Sequence, residues 1–153
     1  MGWGVIDVSG TRLSHVAHGV LRSEAECELS MRLLALHEAI VVVISDLQPT
    51  TLAIEQAFVA KDASAALKLG QARAVALLAA ARAGLAVAEY APNHIKKSVV
   101  GVGHADKMQV RAMVRRLLPT ARVEAIDAAD ALACAIAHAH LSGTRAKILA
   151  ALV

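Results

Sequence analysis

Apolar residues open the chain in two short runs. Trp3 to Val8 and then Leu13 to Leu21 flank the polar turn Ser9-Gly10-Thr11, the second with partial alternation. Such a pair predicts two antiparallel strands joined by a hairpin. The pattern then lengthens. Leu29, Leu33, Leu36, Ile40 and Ile44 recur at helical intervals until Pro49, and Ser23 with Glu26 has the spacing of a capping box ahead of them, which predicts a long amphipathic helix. Thr51 to Phe58, rich in apolar and β-forming residues, follows as a strand, and an alanine-rich helix over 63–83 ends at Gly84. Leu85 to Tyr90 is a short strand, and Pro92 to Val99 a short helix that carries Lys96 and Lys97 toward the turn Gly101-Val102-Gly103. In the helix expected from Ala105 to Leu118, Val110, Met113, Val114, Leu117 and Leu118 form one stripe, while Lys107, Arg111 and Arg115 recur on another face before Pro119. A last helix is expected from Asp127 to Leu141, terminated by Gly143. Strands first and then alternating helix and strand predict an α/β domain, a mixed sheet flanked by helices.

Composition narrows the class. At 153 residues the chain is expected to form one domain with its own core. Its 57% hydrophobic content is largely alanine, and the longest apolar run, Ala74 to Ala81, stops between Arg73 and Arg82. A bilayer span needs about 20 apolar residues, so no membrane segment is expected. Met1 to Val8 lacks the pattern of a signal peptide, and the expectation is a cytoplasmic protein. Cys27 and Cys134 follow no CxxC spacing and fall in segments read as helix, which predicts buried, reduced thiols. The net charge of +3 is compatible with nucleic-acid binding without requiring it.

Three acidic residues stand out. Glu55 lies inside the apolar strand Leu52-Ala53-Ile54-Glu55, where a carboxylate is costly unless paired, protonated or bound to a metal. Asp127 and Asp130 share one face in the first turn of the last helix, where they can serve as caps or as ligands. One strand carboxylate and two helix carboxylates suit hard, oxygen-loving cations, and no His/Cys cluster competes for zinc. Two magnesium ions on such ligands support phosphodiester cleavage. His138 and His140 lie beyond the carboxylate turn and are expected to be packing or surface residues.

At this point the motifs become specific. The stretch Ala53-Ile54-Glu55-Gln56-Ala57-Phe58-Val59-Ala60-Lys61, continued by Ala66-Leu67-Lys68-Leu69-Gly70-Gln71-Ala72-Arg73, resembles the central signature of RuvC-type Holliday junction resolvases. So do Lys96-Lys97-Ser98-Val99-Val100-Gly101-Val102-Gly103 with Ala105-Asp106-Lys107, and Asp127-Ala128-Ala129-Asp130-Ala131-Leu132-Ala133. Three ordered blocks extend the similarity over essentially the whole chain. The resemblance implies a ribonuclease H-like fold in a homodimer whose two sites nick opposing strands of a four-way DNA junction. It implies Glu55, Asp127 and Asp130 as ligands of two magnesium ions per subunit. It further implies Phe58 as the aromatic at the junction centre, Lys96 and Lys107 as DNA contacts near the scissile phosphate, and the branch-migration proteins RuvA and RuvB as partners.

One part of the family pattern is missing. The resemblance implies a first strand with a Gly-Ile-Asp-Pro-Gly-type motif ahead of Gly2-Trp3-Gly4, and the sequence lacks both it and its aspartate, so the chain reads as N-terminally truncated. Asp7 is no substitute: at about 3.3 Å per residue it stands roughly 16 Å along its strand, beside the Ser9-Gly10 hairpin. Without the first strand, two rows of unpaired backbone groups are expected to face a gap between the hairpin and the strand bearing Glu55. Two further readings stay open, a junction-binding protein that does not cut and a ribonuclease H-like interaction domain with no DNA role.

Overall fold

The computed structural model describes residues 1–56, 62–142 and 147–151. Strands β1 (Gly2–Ser9) and β2 (Arg12–Val20) form the hairpin, followed by α1 (Leu29–Leu47), β3 (Thr51–Glu55), α2 (Ala63–Arg82) and β4 (Ala86–Tyr90). Then come α3 (Pro92–Val100), α4 (Lys107–Leu117), α5 (Ile126–Ser142) and β5 (Lys147–Ala151). The sheet is mixed, in the order β2-β1-β5-β3-β4. β1 runs antiparallel to β2 and β5, whereas β3 runs parallel to β5 and β4. Among the described residues no helix is long and apolar enough to cross a membrane.

Strand alternation divides the apolar residues between the two faces. Val5, Leu52, Ile54 and Leu149 join Ile40 and Ile44 of α1 and Ala76, Ala79 and Ala80 of α2 in one cluster. Ile6, Val8, Ala53, Ile148 and Ala150 face the other way, onto Ile95, Val99, Val110, Val114 and the long run Ala128 to Ala137 of α5. Helix α5 is therefore apolar nearly all round, as a helix enclosed on all sides must be. Gly4 lets it lie close to the sheet, since a Cβ there would stand 2.6 Å from the Leu132 side chain.

Local chemistry sets the helix ends. Asp106 caps α4, its carboxylate accepting from the Gln109 amide at 2.8 Å while the Gln109 side chain accepts from the Asp106 amide at 3.0 Å. Asp62 caps α2 through the amides of Ser64 and Ala65. Gly101 closes α3 at φ 94°, a conformation suited to glycine. A bulge between Val5 and Ile6 in the hairpin register leaves Val16 as the extra residue, so that His15 and His18 share one face and hydrogen-bond at 2.8 Å.

Several expectations need correction. The Ser23–Glu26 capping box does not form: α1 starts at Leu29, and the Ser23 hydroxyl instead accepts from Arg32 Nε at 3.3 Å. Cys27 is exposed in the bend before α1 rather than buried in a helix, while Cys134 is buried as expected. The gap beside β3 is filled by β5, a strand the sequence pattern did not predict. It pairs with β1 from Trp3↔Ala151 to Asp7↔Lys147 and with β3 from Thr51↔Ile148 to Ile54↔Ala151, satisfying backbone groups on both sides. Phe58 and Gly143 lie outside the described residues.

Candidate active site

Glu55 is the last residue of β3, and period-two alternation turns its side chain to the face that carries Ala53 and α5. Asp130 sits one turn inside α5, on the side toward β3. Both carboxylates line one cavity of about 280 Å³, walled by Pro92, Ile95 and Val110 and shared with Lys96 and Lys107. Short helices α3 and α4 present these lysines because their apolar stripes, Ile95 with Val99 and Val110 with Val114, point into the core.

Among the described residues neither Glu55 nor Asp130 has a side-chain hydrogen bond or ion pair; the one ion pair joins Arg73 to Glu89. Burial pushes the Glu55 carboxyl above its usual range, and the nearby Asp130 adds to the rise against the pull of Lys96 and Lys107. Asp130 is likewise raised by burial and then by Asp127, with Lys107, Arg111 and Lys96 opposing. Beneath them the Cys134 thiol is pushed far up, by burial and then by Glu55. Two half-buried carboxylates without bonded partners are a suitable donor set for one hard divalent cation, which would relieve both.

The third expected ligand is placed differently. Asp127 is exposed and lines a neighbouring cleft of about 570 Å³ with Met1, Arg22, Ser23 and Arg32. It is one turn nearer the start of α5, about 4.5 Å further along the axis, which carries it past the rim of the first cavity. Among the described residues no three His, Cys, Asp or Glu side chains are grouped to hold a metal ion. The expected three-carboxylate convergence is thus reduced to Glu55 and Asp130, with Asp127 close enough to be felt electrostatically. β5 occupies the slot beside β3 without contributing any carboxylate, since its sequence is Lys147-Ile148-Leu149-Ala150-Ala151. Asp7 is exposed near the far end of β1, outside both cavities.

The sequence reading missed two contacts. Arg73 of α2 donates from Nε to the Glu55 main-chain carbonyl at 3.1 Å. Tyr90 Oη pairs with His138 Nδ1 at 2.7 Å behind the cavity. The strand alternation of Glu89 and Tyr90 was the available signal, since it sends these side chains to opposite faces.

A family model described as "Crossover junction endodeoxyribonuclease RuvC" matches residues 1–138. The chain belongs to the RuvC family. A RuvC of Parvibaculum lavamentivorans is 60% identical over 152 residues, 99% of this chain and 87% of that protein. One of Cereibacter sphaeroides is 57% identical over 152 residues, covering 99% and 90%. The Thermus thermophilus RuvC structure matches with a TM-score of 0.84 and 30% identity, covering 95% of this chain and 91% of that one. The structure of Thermus thermophilus RuvC in complex with Holliday junction substrate gives 0.87 at 30% identity, covering 93% and 87%. The five-stranded mixed sheet with flanking helices is thus the ribonuclease H-like fold of RuvC.

Proposed function

We propose that this protein resolves four-way DNA junctions by metal-dependent hydrolysis of phosphodiester bonds, with Glu55 and Asp130 at the centre of the site. The observation that carries the reading is the meeting of these two unpaired carboxylates, from β3 and α5, in one cavity with Lys96 and Lys107.

Magnesium would be held by Glu55 and Asp130, with Asp127 one turn away in the neighbouring cleft, and would supply an activated water and charge stabilisation at the leaving oxygen; the family resemblance implies two ions per subunit. The chain's own groups do the rest. Lys96 and Lys107 offer cationic partners for the phosphates flanking the scissile bond, offsetting the repulsion between DNA and the carboxylates. Ile95, Val110 and Ala133 wall the cavity and limit water there, which strengthens each charge interaction inside it. By family resemblance Phe58 would act at the junction centre, and a homodimer would present two such sites to opposing strands. By the same resemblance RuvA and RuvB would be its partners and the cytoplasm its location.

A second reading, junction binding without cutting, is favoured by one observation: β5 fills the central slot and brings no acidic residue, while Asp127 lies off the cavity. The experiment incubates a labelled four-way junction with the protein and magnesium, beside Glu55→Gln and Asp130→Asn, and measures binding in EDTA. Symmetrical nicks lost in both variants support the resolvase. Tight junction binding with no nicks, indifferent to Glu55→Gln, supports the binding protein; no preference for the junction over linear duplex sinks both.

A further inference from the structure

Glu89 and Tyr90 are consecutive at the end of β4, so their side chains leave on opposite faces of the sheet. Tyr90 reaches His138 of α5 on one face. On the other face Glu89 meets Arg73 of α2, whose side chain is only 17% exposed.

Arg73 divides its guanidinium between two acceptors. Its Nη2 pairs with the Glu89 carboxylate, and its Nε donates to the main-chain carbonyl of Glu55 at 3.1 Å. That carbonyl belongs to the last residue of β3, where the ladder runs out: the Gln56 amide bonds the Tyr90 carbonyl at 2.8 Å, and β3 goes no further. A strand end is where a residue has most freedom to rock, and Glu55 is the residue whose side chain must meet Asp130 across the cavity.

We propose that Arg73 is a positioning residue for Glu55, clamping the end of β3 between α2 and β4 so that the carboxylate stays aimed at Asp130. The assignment rests on the nuclease reading of the cavity. A lysine cannot fill the role, because one ammonium lacks the planar fork that spans a carbonyl and a carboxylate. The Glu89 side chain is 44% exposed, so the ion pair itself contributes little to stability. What the clamp governs is aim.

The test compares Arg73→Lys and Glu89→Gln with the parent chain. Expected for Arg73→Lys is a single-turnover nicking rate lowered roughly 10- to 100-fold, with a higher half-saturating magnesium concentration. Junction affinity in EDTA and the melting temperature stay near the parent values. Glu89→Gln shows a smaller loss, since the Nε bond to Glu55 survives. Amide hydrogen exchange at Gln56 needs no cleavage and is expected to quicken in Arg73→Lys while Ile54 keeps its protection. Unchanged Gln56 exchange overturns the inference, as does a nicking loss that tracks lost junction affinity or a lower melting temperature. A parent chain that never nicks counts against the nuclease reading alone, and Gln56 exchange then decides the role of Arg73.

Discussion

Tyr90 Oη and His138 Nδ1 stand 2.7 Å apart, joining the end of β4 to the buried face of α5. His138 is two full i, i+4 steps from Asp130, with Cys134 between them, so one face of α5 carries a line of ionisable groups from the cavity into the core. The bond thus adds a polar tie between β4 and α5 to the apolar packing that seats the helix carrying Asp130.

Tyr90→Phe removes one partner and leaves the imidazole nitrogen without its bond in a buried setting, at a cost of about 1–3 kcal/mol in urea unfolding. A cost near zero would mean that water already serves His138. Burial lowers the His138 pKa below its ordinary 6.5. The unfolded chain therefore gains a proton that the folded one resists, so stability is full above about pH 6.5 and is lost as pH falls below it. His15, lowered by burial and then by His18, acts in the same direction. His138→Gln should flatten the slope between neutral and mildly acidic pH, and an unchanged slope would assign it elsewhere.

Glu55 and Asp130 carry the opposite sign. Each has a folded pKa above its ordinary value, so the folded state holds protons that the unfolded chain has released, and stability declines as pH rises through that window. At neutral pH without divalent metal, Glu55→Gln and Asp130→Asn should each raise the melting temperature by up to a few degrees while abolishing nicking. Sites that conserve function at the expense of stability behave this way. A lower melting temperature in either variant would reveal a bonded partner for the carboxylate and weaken its role as a free ligand.

On the proposed reading Lys96 and Lys107, which line the cavity, meet phosphates rather than bases. Replacing either with alanine should weaken junction binding in EDTA at every sequence tested and reduce the slope of log affinity against log salt by about 1. An unaltered slope with intact affinity would leave them as screens between the two carboxylates.

Much of this was legible in the sequence, for identifiable reasons. The hairpin and the alternation of helix with strand follow from apolar periodicity, which burial itself imposes. Glu55 was conspicuous because a carboxylate in an apolar strand demands an explanation. Position along a helix was harder to read: Asp127 and Asp130 share a face, but the axial rise between them moves one past the cavity rim. Arg73 was invisible as a partner of Glu55 because its acceptor is a main-chain carbonyl, which every residue possesses. β5 received no reading of its own because Lys147-Ile148-Leu149-Ala150-Ala151 is short and alanine-rich, and its pairing partners β1 and β3 lie far away in the sequence.

The place of β5 in the sheet can be probed directly. Leu149 is fully buried, pairs with Val5 of β1 and Leu52 of β3, and packs among residues of α1 and α2. If β5 is integral to the sheet, Leu149→Ala should cost about 2–5 kcal/mol, the ordinary range for a leucine truncated in a close-packed core. Ala150→Pro should cost about 3 kcal/mol or more, because a central strand has no place for a residue that cannot donate to the ladder. Both are measured by denaturant unfolding, with amide protection of Val5 and Leu52 as the local probe. A cost below about 1 kcal/mol for Leu149→Ala, with those amides still protected, would mean that β1 and β3 are held by other contacts and that β5 is a replaceable cover over the centre of the sheet.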